Sequence, residues 1–254
     1  MAPLVFITGA SSGIGQALAT RYAQQGWRLA LVARRGEVLH DWVHAQRLDP
    51  SQARAYVADV ADTEAIVAAG HACIESQGLP DLVIANAGIS LGMDSAQRED
   101  LEVMARTLAT NTLGVAATFH PFITPMVQRG RGTLVCIASV AGIRGMPGHG
   151  AYCASKAAVS TLFESFRIDL AGSGIAVTTI HPGFVATPLT EKNRHPMPFL
   201  MSAERAARII ADGLARRRTD ITFPWQLRVL MGWMLRWTPA WIWDRVVAGP
   251  ARRY

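Results

Sequence analysis

Seven short apolar runs alternate with helix-length stretches along this 254-residue chain, and that alternation leaves few folds open. Leu4–Thr8, Arg28–Val32, Ala53–Val57, Leu82–Asn86, Gly132–Ser139, Ala176–His181 and Ile221–Phe223 read as strands. Their near-continuous apolar character suits strands buried on both faces. Ile14–Gln25, Glu37–Leu48, Asp62–Gln77, Glu99–Gln128, Ala151–Ala171 and Ala203–Arg217 read as the helices between them. Repeated strand–helix–strand units with right-handed crossovers predict an α/β fold, a doubly wound parallel sheet of seven strands with helices on both faces. Pro188–Met201 breaks the rhythm with three prolines and reads as an irregular flap, with Ser202 as the N-cap of the helix that follows.

Composition narrows the setting. Half the residues are hydrophobic and 17% are charged, so the chain can bury a core. The three cysteines are odd in number and scattered, without disulfide or metal-ligand spacing, which points to a reducing, cytoplasmic compartment. Seven dispersed histidines add no metal site. The start, Met1–Ile7, runs straight into a strand pattern and does not read as a signal peptide. No apolar run reaches the ~20 residues of a spanning helix. The net charge of +6 resides entirely in 216–254, where eight arginines face two aspartates, while the preceding 215 residues are neutral. A nucleic-acid binder would not confine its charge in this way.

Between the first strand and the first helix lies Thr8-Gly9-Ala10-Ser11-Ser12-Gly13-Ile14-Gly15. Such a turn lets a pyrophosphate approach the helix N-terminus, because glycines remove the Cβ atoms in its way. Beside an ordinary glycine-rich turn, the strand before it and the helix after it favour a Rossmann-type dinucleotide site, with Gly9, Ser11, Ser12, Gly13, Ile14 and Gly15 as the expected cofactor contacts. An NAD site of this fold usually carries an acidic residue at the end of the second strand. Here Ala33 stands there, followed by Arg34 and Arg35. Guanidinium forks suit a 2′-phosphate, so the expected cofactor is NADP(H).

Asn111, Ser139, Tyr152 and Lys156 form the candidate catalytic set. Tyr152 and Lys156 are four residues apart and share one helix face. A phenol, with a pKa near ~10, is a poor base at neutral pH, and a neighbouring ammonium is expected to favour its ionised form. Ser139 ends the fifth strand, where its hydroxyl can bond a developing oxyanion. Asn111 lies inside the long helix Glu99–Gln128, where its amide could hold a water leading from Lys156 to solvent.

With these residues in this order, residues 4 to about 222 resemble the short-chain dehydrogenase/reductase family. Asp59-Val60, Asn86-Ala87-Gly88, Tyr152-Cys153-Ala154-Ser155-Lys156 and Pro182-Gly183 extend the likeness. The resemblance implies that Asp59 and Val60 hold adenine and that Asn86, Ala87 and Gly88 lie beside the adenosine ribose. It implies that Lys156 also binds the nicotinamide ribose, alongside Tyr152, and that Pro182, Gly183, Val185 (by its backbone) and Thr187 border the carboxamide. The Ala33-Arg34 pair resembles the NADP-preferring members. The implied activity is hydride transfer between nicotinamide and the carbonyl or secondary alcohol of a hydrophobic substrate, with Tyr152 as acid/base. The alternatives are an NAD-linked alcohol dehydrogenase or a non-catalytic nucleotide-binding sensor. A homodimer or homotetramer is implied through the helices Glu99–Gln128 and Ala151–Ala171.

The expected division of the chain is a catalytic domain over 1–222 and a helical tail over 223–254. The tail holds five of the seven tryptophans. It reads as one helix over Trp225–Trp237 and a second begun by Thr238-Pro239 and running through Val247. The first would span about 20 Å at ~1.5 Å per residue, too short to cross a bilayer. Three readings stay open: packing on the domain or another subunit, a peripheral membrane contact, and a greasy lid over the substrate entrance.

Overall fold

The computed structural model describes residues 2–191, 196–229 and 237–247. Seven parallel strands form one sheet: β1 (Leu4–Thr8), β2 (Arg28–Ala33), β3 (Ala53–Val57), β4 (Leu82–Ala85), β5 (Gly132–Ile137), β6 (Ile175–Pro182) and, after a two-residue pair β7 (Val185–Ala186) and β8 (Met201–Ser202), β9 (Asp220–Phe223). Their spatial order is β3-β2-β1-β4-β5-β6-β9, with β7 pairing β8 apart from the sheet. The strand order reverses between β1 and β4, so the crevice for a ligand opens at their C-terminal ends, at Gly9 and Asn86.

Alternate residues of each central strand serve opposite cores. In β1, Val5 and Ile7 join Leu29, Leu31 and Ile84 on one face, beneath α1 (Gly13–Gln24), α2 (Gly36–Ala45) and α7 (Ala203–Ala215). Leu4 and Phe6 point the other way, toward α3 (Thr63–Gln77), α5 (Gly114–Arg129) and α6 (Gly150–Asp169). Phe6 meets Phe122 at 4.9 Å, and Phe119 meets Phe163 edge-on at 5.1 Å. The helix ends follow local chemistry. Asp62 caps α3 by accepting from the Ala65 N–H at 3.0 Å, and Ser202 caps α7 as its sequence position suggested, accepting from Arg205 at 3.2 Å. Gly130 ends α5 in the left-handed conformation.

The expected helix Glu99–Gln128 is interrupted. It begins as α4 (Asp100–Leu108), passes through a π-helical turn at Ala109–Leu113, and resumes as α5. A π turn widens the spiral by one residue and redirects the side chains on it. Asn111 sits in that turn.

The tail follows its expected course in part. Helix α8 covers Trp225–Val229 and α9 covers Ala240–Val247. The expected helix at residues 230–236 lies outside the described residues, as do residues 192–195 of the expected flap. The three arginines 216–218 precede β9 at the N-terminal edge of the sheet, opposite the ligand crevice. Among the described residues no helix is long and apolar enough to cross a membrane.

Candidate active site

The glycine-rich turn is built for close approach. Gly9 and Gly13 have φ of +65° and +55°, the left-handed region that glycine reaches without steric cost. A Cβ at Gly9 would lie 2.8 Å from the Ala87 Cα, and one at Gly13 would lie 3.0 Å from the Thr187 methyl. Gly15 packs against the Gly9 carbonyl. Asn86 staples the turn to the sheet: its Nδ2 donates to the carbonyls of Thr8 (3.0 Å) and Gly9 (3.2 Å). Thr8 returns the bond, its hydroxyl accepting from the N–H groups of Asn86 and Ala87 at 3.1 and 3.2 Å. Thr8 was legible only as the end of a strand. Its fixing role requires knowing that β1 and β4 are neighbours.

At the end of β2, Arg34 Nη1 lies 3.6 Å from Asp59 Oδ2, and Arg35 Nη2 donates to Ser11 Oγ at 3.4 Å. Both contacts are long. Arg34 is largely exposed, so its ion pair costs little to exchange for another anion. Asp59 is fixed by the Ala61 N–H at 3.0 Å, and Val60 is buried beside Gly114. On the other side of the crevice, Gly183 donates to the Phe223 carbonyl at 2.7 Å, next to Pro182 at the end of β6. Val185 is buried, and Thr190 Oγ1 holds the Val185 carbonyl at 2.7 Å and accepts from the Thr187 N–H at 3.1 Å. Ser12 is the N-cap position of α1 and Ile14 its second residue. The glycine positions fit a turn tight enough to offer its backbone to a pyrophosphate, since a Cβ at Gly9, Gly13 or Gly15 would press on Ala87, Thr187 or the Gly9 carbonyl and open the turn, and the two guanidinium groups fit a further phosphate.

The four candidate catalytic residues converge at the C-terminal end of β5. Ser139 and Tyr152 are joined by a hydrogen bond between their hydroxyl groups. The Ala141 N–H donates to Ser139 Oγ at 3.1 Å, which occupies one lone pair and leaves the single O–H free to donate onward. Lys156 is buried on the same helix as Tyr152, its Nζ 5.8 Å from the phenol ring centre and donating to the Ile137 carbonyl at 2.7 Å. Gly142 lets the loop press against the backbone of Lys156, where a Cβ would lie 2.8 Å from the lysine carbonyl carbon. Asn111 is fully buried. Its Oδ1 accepts from the Ile89 N–H at 2.8 Å, and its Nδ2 donates to the Ile89 carbonyl at 2.8 Å and to Ser155 Oγ at 3.0 Å. Gly88 lies between Asn111 and Lys156, where a Cβ would be 3.3 Å from Asn111 Oδ1 and 3.5 Å from Lys156 Nζ.

The electrostatics depart from expectation in one respect. Burial pushes the Tyr152 phenol above its ordinary value, and the Ser139 hydrogen bond only partly offsets this. The Lys156 ammonium donates to the Ile137 carbonyl, 5.8 Å from the centre of the phenol ring. Burial pushes Lys156 down to about 8, with Cys136 opposing. The thiol of Cys153, next to Tyr152, is pushed up by burial and is held as an inert thiol. Among the described residues no group of His, Cys, Asp or Glu could hold a metal ion. A cavity of about 620 Å³ lies on the outer side of the glycine turn, between α1, Trp42, Thr187 and Leu200. None of Asn111, Ser139, Tyr152 or Lys156 lines it.

Comparison with known proteins bears on the family and the fold. The short chain dehydrogenase family model covers residues 3–198. An uncharacterized oxidoreductase of Myxococcus xanthus is 41% identical over 226 residues, covering 88% of each chain. A short-chain dehydrogenase from Sphingobium yanoikuyae in complex with NADPH superposes with a TM-score of 0.79 at 27% identity, over 99% of this chain and all of the other. One from Burkholderia phymatum in complex with NAD shares the fold at a TM-score of 0.83 and 24% identity, over 99% and 98% of the two chains. The chain belongs to the short-chain dehydrogenase family and is an oxidoreductase on a nicotinamide-binding fold.

Proposed function

We propose that this oxidoreductase uses NADP(H) and exchanges hydride with the carbonyl or secondary-alcohol carbon of an apolar substrate. The observation that carries the cofactor assignment is the end of β2. There Ala33 offers no carboxylate, while Arg34 and Arg35 make long, replaceable contacts, to Asp59 and Ser11 respectively. A 2′-phosphate would gain charge-assisted hydrogen bonds from both guanidinium groups, and an NAD ribose would gain no acidic partner from Ala33. The solved relatives bind either NAD or NADPH, so family membership alone leaves the choice to these residues.

Gly9, Ser11, Ser12, Gly13, Ile14 and Gly15 would hold the pyrophosphate, Asp59 and Val60 the adenine, and Asn86, Ala87 and Gly88 the adenosine side. Pro182, Gly183, Val185 and Thr187 would border the carboxamide. The bound nicotinamide supplies or accepts the hydride. In reduction, Tyr152 donates its proton to the substrate oxygen. Its raised pKa keeps that proton available at neutral pH. The Ser139 hydroxyl, held by the Ala141 N–H and hydrogen-bonded to Tyr152, stabilises charge as it develops on the oxygens. Lys156 keeps donors beyond its bond to Ile137 and returns a proton toward Tyr152, while Asn111 sets the wall on which that relay rests. Oxidation runs the same path in reverse. An intact relay has no use in a nucleotide sensor, which weighs against that alternative.

Exposed Leu101, Leu113 and Ile168 on α4, the π turn and α6 support pairing of these helices with a second copy, as a homodimer or homotetramer. Three free, buried cysteines support a cytoplasmic setting.

Titrating NADPH and NADH against wild-type protein and the Arg34→Ala/Arg35→Ala variant tests the cofactor assignment. Losing hydrogen bonds to a charged partner worth about 1.5–3 kcal/mol should weaken NADPH binding roughly tenfold to a hundredfold. NADH binding should be unchanged. Equal affinities for both cofactors in the wild type, unaltered in the variant, would remove the assignment.

A further inference from the structure

Helix α9 is fastened to the connection between the two residues that would meet the substrate oxygen. Residues 140–150 run from Ser139 to the start of α6, two residues before Tyr152. In the middle of that connection, Arg144 Nη1 donates to the Thr238 carbonyl at 3.1 Å. The same guanidinium lies 5.5 Å over the Trp243 ring, within the range of a cation–π contact. Trp243 Nε1 in turn donates to the Gly145 carbonyl at 3.0 Å. Two adjacent loop residues are thus bonded in opposite senses to the two ends of one short segment of the tail. The far end of the connection is tied elsewhere, where the Met93 N–H donates to the Gly148 carbonyl at 2.9 Å and the Met93 sulfur abuts Gly150.

We propose that Arg144 and Trp243 are specificity-determining residues, which clasp α9 onto the 140–150 connection and make it the outer wall of the substrate pocket. This inference rests on the hydride-transfer reading above and adds what the pocket accepts. The connection itself carries Ile143 and Met146, Trp243 is bonded to its Gly145 and Met93 to its Gly148, and all four side chains are apolar in body. Such a wall selects carbonyl compounds with an extended apolar substituent. It does so without touching the reacting carbon, so it acts on binding more than on the chemical step.

The test uses the full chain and a homologous series of methyl ketones of increasing alkyl length, with NADPH as reductant. Trp243→Ala should raise KM at least fivefold for the longest ketones and leave KM for the shortest ketone, and kcat throughout, within twofold. Arg144→Ala should shift KM the same way. Trp243→Phe keeps an aromatic face but loses the indole N–H and part of the ring area, so it should fall between, and it carries the comparison if Trp243→Ala does not fold. A KM unchanged along the series overturns the proposal. A loss uniform across all lengths also overturns it, because that marks a merely structural role. Amide hydrogen exchange is measured in parallel. Exchange over 141–148 should quicken at least fivefold in Trp243→Ala, with β1 unaffected, and equal exchange rates overturn the clasp. Should the wild type reduce no ketone, the hydride-transfer reading fails on its own, and the exchange measurement still decides whether the clasp exists.

Discussion

Replacing Asn111 should cost stability as well as turnover, and the size of the loss follows from its contacts. The side chain is fully buried and makes three hydrogen bonds, two of them to the backbone N–H and carbonyl of Ile89. The third goes to Ser155 Oγ, which also donates to the Tyr152 carbonyl at 2.8 Å and so remains partnered. Asn111→Ala therefore strands two backbone groups, each costing about 1–3 kcal/mol when left unsatisfied. The sum, ~2–6 kcal/mol, is a large part of the ~5–15 kcal/mol that holds a typical domain folded. Urea unfolding of wild type, Asn111→Ala and Asn111→Leu measures it. Leucine refills the volume but cannot pair with Ile89, so it should recover little. If the alanine variant loses less than ~1 kcal/mol, or leucine restores full stability, then packing rather than hydrogen bonding is what Asn111 supplies.

Gly15→Ala should displace the glycine turn, because the new methyl would press on the Gly9 carbonyl and lie 2.5 Å from Asn86 Nδ2. Overpacking of this kind costs about 1–3 kcal/mol. Calorimetry should show weaker NADPH binding together with a lower Tm. The reduction rate should fall as pH rises past about 8, where Lys156 loses its charge, and a pH profile of kcat/KM would reveal it. The stability sign is opposite. The folded state releases this proton more readily than the unfolded chain, so between about 8 and the ordinary lysine value of 10.5 stability should grow with pH in wild type, and Lys156→Met should remove that slope.

How much of this was legible in the sequence depends on whether a feature is local. The sheet, the glycine turn and the Ser202 cap are set by short-range pattern, and the structure reproduces them. Strand ends shifted by a residue or two: β2 extends to Ala33, and β5 stops at Ile137 rather than Ser139. The π turn at Asn111 carries no periodicity of its own, because one extra residue is lost inside an otherwise helical pattern. The catalytic positions could be named from their spacing, but their hydrogen-bond directions could not. That Lys156 turns to Ile137 depends on β5 and α6 being neighbours. That Ala141 orients the Ser139 hydroxyl depends on the short helical turn at Val140–Gly142. The clasp between Arg144 and Trp243 joins residues about a hundred positions apart, beyond the reach of any pattern in the chain.

The proton transfer assigned to Tyr152 is tested most directly by comparing wild type with Tyr152→Phe. Loss of reduced-nicotinamide absorbance is followed with saturating NADPH and an apolar ketone. Proton transfer by a positioned group contributes ~10²–10⁴-fold, so the variant should lose at least a hundredfold in kcat. Its NADPH affinity should stay within about tenfold of the wild type, because the phenylalanine keeps the ring and loses at most one neutral hydrogen bond to the ribose, worth about 0.5–1.5 kcal/mol. A variant that turns over within a few-fold of the wild type would contradict the assignment of Tyr152 as the acid/base.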